Sequence, residues 1–381
     1  MRIFYLTHTF SLDAEQGGGG EIYSSYLLKE LRRQGHEIFV FTVGGKPSKS
    51  EKQLGIKVYR APSIGHHALH KFEYILFTWK AIKLAREFGA EIVHAQNDVL
   101  PGLIAHFVKW RLKIPFLLGM EYISENAHSL NLKLVYLLNK LLIPVLNYDF
   151  VVSMSEFNVS KYLLKWRVPK NKIKVIPVGI DLREFKPTAP SKELIDKYGS
   201  HLIISIKPLY STNAEGIKYI IRAFKQLVEI YPEYKYLILG EGEKKPELIE
   251  LVNSLNLQKN VHFLPPKPHS ALPEIYSSAE FMVHSFVYEA TTSMGLIDSL
   301  ACGVPLVVTD SGEVKNASQG AAILAKPKDE SSIAGAMLKL IESPSLRKEL
   351  GTNARKIAEE KFSIEKVAND FVSIYKNLTG K

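Results

Sequence analysis

The chain has 381 residues, 46% of them hydrophobic, and a formal net charge of +10. That length suits two or three domains, each with its own core. A single cysteine, Cys302, excludes an internal disulfide and a cysteine-based metal cage, and it fits a reducing, cytoplasmic setting. No run approaches the roughly 18 uncharged apolar residues of a membrane span, and the opening MRIFYLTHTF reads as a first strand rather than a leader.

The charge is unevenly placed. Residues 1–190 carry 26 Lys and Arg against 16 Asp and Glu, whereas residues 191–381 carry 23 of each. The excess reads either as a solvated basic surface or as a first half that faces an anionic partner, such as a phosphorylated acceptor or a lipid surface. Nucleic acid is not expected, because no nucleic-acid-binding motif interleaves the basic residues with aromatics.

In chain order, RIFYLT, HEIFVFTV, IKVYR, EIVHAQ, IPFLLGM, DFVVSM and IKVIPV are strand candidates. Helical patterns such as IYSSYLLKELRRQG, FEYILFTWKAIKLAREFG and SKYLLKWRV separate them. Residues 187–200 turn polar and proline-containing and read as a linker. A second alternating set follows: HLIISI, KYLILG, VHFLP, EFMVHS, the LVV strand and AAILA, again with helices between. Strand–helix alternation predicts parallel sheets covered on both faces. Two such sets predict an α/β chain of two doubly wound domains, residues 1–186 and 201–361, with a terminal helix over 362–381. Ligands in such domains bind beyond the carboxyl ends of the strands.

Two loops carry the expected chemistry. The first, Gln16 to Glu21, follows a strand and opens a helix. Gly18, Gly19 and Gly20 there either form a flexible loop or let backbone N–H groups approach a phosphate. The second is HSFVYEATTSMGLIDSLACGVPLVVTD, His284 to Asp310, read as strand, loop, helix, turn and strand. A helix whose first turn carries Thr291, Thr292 and Ser293 offers N–H groups and hydroxyls to an anion. Glu289 before the helix and Asp298 within it can hold sugar hydroxyls. Phosphate and sugar recognised so close together point to a nucleotide sugar.

The chain also resembles family 4 of the nucleotide-sugar glycosyltransferases along essentially its whole length. The resemblance is carried by SEFNVSKYL, VIPVGIDLREF, KYLILGEGEKKPELIELVNSLNLQKNVHFLP, LPEIYSSAEFMVHSF and SLACGVPLVVTD. It implies a GT-B fold, two Rossmann-like domains facing a cleft, with the terminal helix crossing back onto the first. It also implies transfer of a sugar from a nucleotide-diphosphate donor, with retention of configuration, to a sugar, phosphorylated or lipid-linked acceptor. No cofactor or metal is implied, and the chain has no DxD motif.

Carried onto this chain, the resemblance sets Lys207 against the diphosphate, where arginine is usual, and puts Glu215 near the place of a second basic residue. Gly242, Lys267, Thr292, Ser293 and the Met294 N–H join the donor site, and Asp298 stands for the ribose-binding glutamate. The sugar-binding glutamate would fall on Ala290, one residue after Glu289. Where the family often has a catalytic histidine, the strand segment IPFLLGMEY puts Glu121. A carboxylate there could stabilise an oxocarbenium-like transition state or take a proton from the acceptor. Catalytic roles therefore fall on Glu121, Lys207 and Glu289, and acceptor binding on His94, Asn97 and Asp98.

Residues 70–88 and 131–146 are apolar and basic, and read either as helices covering a sheet or as a peripheral membrane contact. Two rival functions keep the fold: a catalytically weakened nucleotide-sugar-binding partner subunit, motivated by Glu121, Glu215 and Ala290, and a sugar-nucleotide epimerase.

Overall fold

The computed structural model describes residues 1–8, 10, 18–43, 54–62, 75–120, 130–288 and 293–381. The chain forms two compact units. One comprises Met1–Gly179 with Ile364–Lys381, and the other Ile180–Ser363.

The first unit runs β1 (Arg2–Leu6), α1 (Gly19–Arg33), β2 (Glu37–Val43), β3 (Lys57–Ala61), α2 (Thr78–Phe88), β4 (Ile92–Asn97), α3 (Val99–Leu112), β5 (Phe116–Met120), α4 (Leu130–Leu142), β6 (Phe150–Ser153) and β7 (Ile173–Val175). Its seven strands are parallel, in the order β3-β2-β1-β4-β5-β6-β7. The second unit runs α5 (Lys192–Tyr198), β8 (Leu202–Ile206), α6 (Ser211–Val228), β9 (Lys235–Leu239), α7 (Lys245–Ser254), β10 (Val261–Leu264), α8 (Leu272–Ser278), β11 (Phe281–His284), α9 (Met294–Ala301), β12 (Leu306–Thr309), α10 (Glu313–Ala317), β13 (Ala322–Ala325), α11 (Glu330–Glu342) and α12 (Pro344–Ile357). Its six strands are also parallel, in the order β10-β9-β8-β11-β12-β13.

Apolar runs without alternation make these strands. FLLGM of β5 is buried throughout, as are all residues of LIISI in β8 except the last. Such strands need cover on both faces, which helical crossovers supply. In each sheet the direction of strand addition reverses once, between β1 and β4 and between β8 and β11. Those two points are where an open α/β sheet leaves a crevice at its carboxyl end.

Residues 187–200, expected as a linker, are built into the second unit. The Ser191 N–H donates to Ser278 Oγ at 2.8 Å, the Thr188 N–H donates to Ser277 Oγ at 3.1 Å, and Leu194 of α5 is buried. The polar composition concealed a one-sided helix, in which Leu194 is buried, Ile195 and Tyr198 are half-buried and the other residues are exposed.

The last helix, α13 (Ile364–Thr379), belongs to the first unit and packs on α1. Its buried stripe is Ile364, Val367, Ala368, Phe371 and Tyr375, the i, i+3, i+4 spacing of one helix face. Tyr375 meets His94 in the middle of β4, with the hydroxyl 2.6 Å from Nδ1. His94 Nε2 lies 2.8 Å from Gln96 Oε1, and the ring stacks on Phe371. His94 was expected to bind acceptor. It is wholly buried with both ring nitrogens engaged, because the period-two alternation of β4 turns it into the sheet's covered face. It is an anchor for the terminal helix.

Burial holds the His94 imidazole down to about 3. The unfolded chain titrates it near its ordinary 6.5, so between those values the unfolded form binds the extra proton. Its contribution to stability is whole above pH 6.5 and is lost as pH falls toward 3, by about 1.4 kcal/mol per pH unit. Tyr375→Phe leaves Nδ1 buried without its partner and should cost about 1–3 kcal/mol. Urea unfolding followed across this pH range should show both the lower midpoint of the variant and the acid decline.

Candidate donor and acceptor sites

At the crevice of the second sheet, Lys207 follows β8 and Ser285 follows β11. The Lys207 Nζ donates to the Ser285 carbonyl at 2.7 Å and stands 3.7 Å from the centroid of the Phe286 ring. The side chain is buried, and desolvation pulls its ammonium down to about 7. Among the described residues no carboxylate pairs with it. A carbonyl dipole and an aromatic face each favour a cation, but neither cancels its charge.

The turn after β9 closes over this lysine. A Cβ on Gly240 would lie 1.9 Å from the Lys207 carbonyl oxygen, and one on Gly242 2.4 Å from the carbonyl group of Leu209. Only glycine permits that approach. Gly242 thus contributes by letting the backbone in, and the Leu209 N–H donates to the Glu241 carbonyl at 2.8 Å.

Helix α9 brings its first turn to the same place. The Cβ position of Gly295 is 3.6 Å from the Ile206 carbonyl oxygen and 3.7 Å from the His284 ring. Ser293, expected within the first turn, is instead the N-cap, and its hydroxyl accepts from the Leu296 N–H. Met294 is the first helical residue. A helix start, with N–H groups left over by the helical ladder, therefore stands beside a buried lysine.

Asp298 sits deeper in α9 than a surface acid would. It is buried, and Oδ2 lies 3.1 Å from His269 Nε2 and 3.3 Å from the Tyr276 hydroxyl. Burial raises its pKa, against the lowering effect of these two partners. Oδ1 is also buried and has no partner among the described residues. Sequence reasoning missed His269 and Tyr276, since neither lies in the motif that contains Asp298. Lys267, two residues before His269, is exposed, with Nζ 3.8 Å from Glu193 Oε2. Glu215 lies within α6 and pairs with Lys218 at 3.2 Å.

In the first unit the crevice falls between β1 and β4. Asp98 ends β4 and caps α3, accepting from the Leu100 N–H at 2.9 Å. Both of its oxygens lie 3.0 Å from His8 Nε2, beyond the end of β1. Asn97 takes a positive φ of 95° and donates from Nδ2 to Thr7 Oγ1 at 3.2 Å. Asn97 and Asp98 are thus brought together with Thr7 and His8, whereas His94 is not. His8 was missed; its position two residues past a strand of the alternating set is the signal that could have found it. Gly18 caps α1, where its N–H donates to Glu21 Oε2 at 3.2 Å, and Gly19 and Gly20 open the helix. Glu121, Glu289, Thr291 and Thr292 lie outside the described residues. Among the described residues no group of three or more His, Cys, Asp or Glu is placed to hold a metal ion.

Comparison with known proteins gives this arrangement its family. Residues 17–184 match the model described as Glycosyltransferase Family 4, and residues 192–357 match Glycosyl transferases group 1. An uncharacterized glycosyltransferase of Methanocaldococcus jannaschii is 28% identical, covering 94% of both chains. The alpha-monoglucosyldiacylglycerol synthase of Streptococcus pneumoniae is 27% identical over 95% of this chain and 83% of its own. Among solved structures, Anabaena HepE in complex with UDP-glucose superposes with a TM-score of 0.79 at 18% identity, covering 99% of this chain and 100% of its own. The chain therefore belongs to the glycosyltransferases of the family 4 type, with the GT-B fold.

Proposed function

We propose that this glycosyltransferase takes a sugar from a nucleotide-diphosphate donor held by the second unit. The acceptor is a hydroxyl, on a sugar or a lipid, held by the first. The observation that carries this reading is Lys207, a buried ammonium at the crevice of the second sheet with no carboxylate beside it among the described residues. A diphosphate supplies the missing negative charge. The first turn of α9 and the glycine-lined turn after β9 offer N–H groups to the same oxygens. The unpartnered Oδ1 of Asp298 is an acceptor that a ribose hydroxyl would satisfy.

The proposed chemistry on those groups is a retaining transfer. The bond from the anomeric carbon to the diphosphate breaks, and the bond to the acceptor oxygen forms on the same face, so configuration is retained. The acceptor's proton passes to the departing phosphate oxygen. Lys207 stabilises the negative charge that develops there, as a preorganised cation in a water-poor site. No metal is needed in this scheme. In the first unit, His8 and Asp98 orient the acceptor hydroxyl. The lipid arm of the acceptor reading is supported by the relative named for a glucosyldiacylglycerol product, and a lipid acceptor would bring the enzyme to a membrane surface. No helix among the described residues is long and apolar enough to cross a membrane.

The lysine sets the pH dependence. Its folded value of about 7 lies below the ordinary 10.5, so in the free enzyme it is mostly neutral above neutrality, and an anion must bring a proton with it. Calorimetric titration with UDP-, GDP-, ADP- and TDP-sugars at about pH 8 should show uptake approaching one proton for the true donor, falling away toward about pH 6. Donor affinity should weaken by up to about tenfold per pH unit above neutrality. Lys207→Ala should abolish the uptake and lower turnover by roughly 10²–10³. Donor binding without any uptake would refute the diphosphate role.

Three further measurements separate the remaining parts. Asp98→Asn keeps the cap on α3 while removing the charge beside His8. It should lower turnover by about tenfold or more and leave the donor-induced rise in melting temperature intact. The anomeric configuration of the product, read by NMR, should match that of the donor. Turnover should also survive a chelator. Donor binding without turnover across a broad acceptor panel would favour the partner-subunit reading.

A further inference from the structure

Helices α2, α3 and α4 pack side by side on one side of the first sheet and share its core. Their outward faces are unusual in two respects. Large apolar side chains stand in solvent: Leu76 just before α2 is 71% exposed, Trp79 74%, Trp110 68% and Val145, just past α4, 71%. Leu137 and Leu141 are exposed between them in an i, i+4 stripe on α4. In addition, the three helices carry seven basic residues and one acidic residue, Glu87, which pairs with Lys83. Lys80, Lys83, Arg111, Lys133 and Lys140 are exposed beside the apolar side chains.

We propose that this face docks the enzyme on an anionic lipid surface, with Trp79, Trp110 and the α4 stripe entering the headgroup boundary and the basic side chains meeting lipid phosphates. The inference deepens the lipid-acceptor reading above, but it stands on the exposed face alone.

Charge complementarity selects this occupant. A second copy presenting the same face would bring cations against cations, so self-association there is repelled. Anionic lipid offers both things the face lacks, negative charge at one depth and hydrocarbon just below it. Tryptophan favours that boundary because its ring is apolar and its N–H finds a polar partner. Lysine and arginine lay their stems along apolar surface and keep their charges at the headgroups. With no helix among the described residues able to span, the enzyme lies on the surface rather than through it.

The test is flotation of the full chain with vesicles of phosphatidylcholine alone and of phosphatidylcholine with phosphatidylglycerol, without donor or acceptor. We expect binding to the anionic vesicles at low salt, release at high salt, and little binding to the neutral ones. Two of the three tryptophans of the chain lie on this face, so fluorescence should shift to the blue on binding.

Lys133→Glu with Lys140→Glu, and separately Trp79→Ser with Trp110→Ser, should each weaken partitioning by roughly tenfold or more. Both pairs should keep the donor-induced rise in melting temperature, which shows that they fold. If the wild type stays unbound at low salt, or if both double variants bind as well as it does, the proposal is wrong. Dimerisation that these variants abolish would also overturn it in favour of a second copy. Binding that persists while turnover on lipid acceptors fails would leave the docking face standing and remove the lipid-acceptor reading.

Discussion

The Lys207 ammonium, buried between a carbonyl and an aromatic ring, is the constraint around which the second unit is arranged. Taking a charge out of water is costly, and with no opposite charge beside it among the described residues burial pulls the lysine's pKa down to about 7. The contacts that hold it are distant in sequence. Ser285 is its neighbour only because the strand order places β11 beside β8. The turn after β9 reaches its backbone only because Gly240 and Gly242 carry no side chain. The first turn of α9 comes to the same place because α9 follows the loop that leaves β11. Topology, glycine placement and electrostatics thus converge on one spot, and a bound anion would relieve what burial imposes there.

The first unit repeats the topology and changes the chemistry. Its crevice between β1 and β4 holds a carboxylate and an imidazole bonded to each other, His8 with Asp98, rather than a lysine that faces no carboxylate among the described residues. That pair can give and take hydrogen bonds with a hydroxyl at little electrostatic cost. One strand order therefore yields two crevices lined by different side chains, and the proposed split of donor and acceptor between the two units draws on that difference.

Periodicity made the fold legible. The central strands, such as β5 and β8, fall on apolar runs visible in the sequence, because strands buried on both faces cannot hide their composition; the edge strands β3 and β7 are mixed and less buried. Residues 187–200 misled because one leucine, Leu194, suffices to seat a short helix that composition describes as polar. Positions were legible where motif and backbone coincide: Lys207 after β8, Gly242 in the turn after β9 and Met294 at the start of α9. The site was illegible where side chains meet between elements distant in the chain. Nothing local announces that Asp298 turns toward His269 and Tyr276, or that His94 belongs to Tyr375, 281 positions away. The same alternation that marks β4 as a strand turns His94 into the covered face and leaves the strand end, Asn97 and Asp98, at the crevice.

The return of α13 to the first unit has a consequence for biosynthesis. The seven described strands of that unit have been made once residue 175 is complete, yet α13, which covers His94, is made only after the whole second unit. The second unit, continuous from Ile180 to Ser363, can close as soon as it emerges. The first unit must meanwhile wait with His94 uncovered. The usual order of co-translational folding, in which the amino-terminal domain matures first, is therefore altered here: the second unit is fully made before residues 364–379 arrive to complete the first.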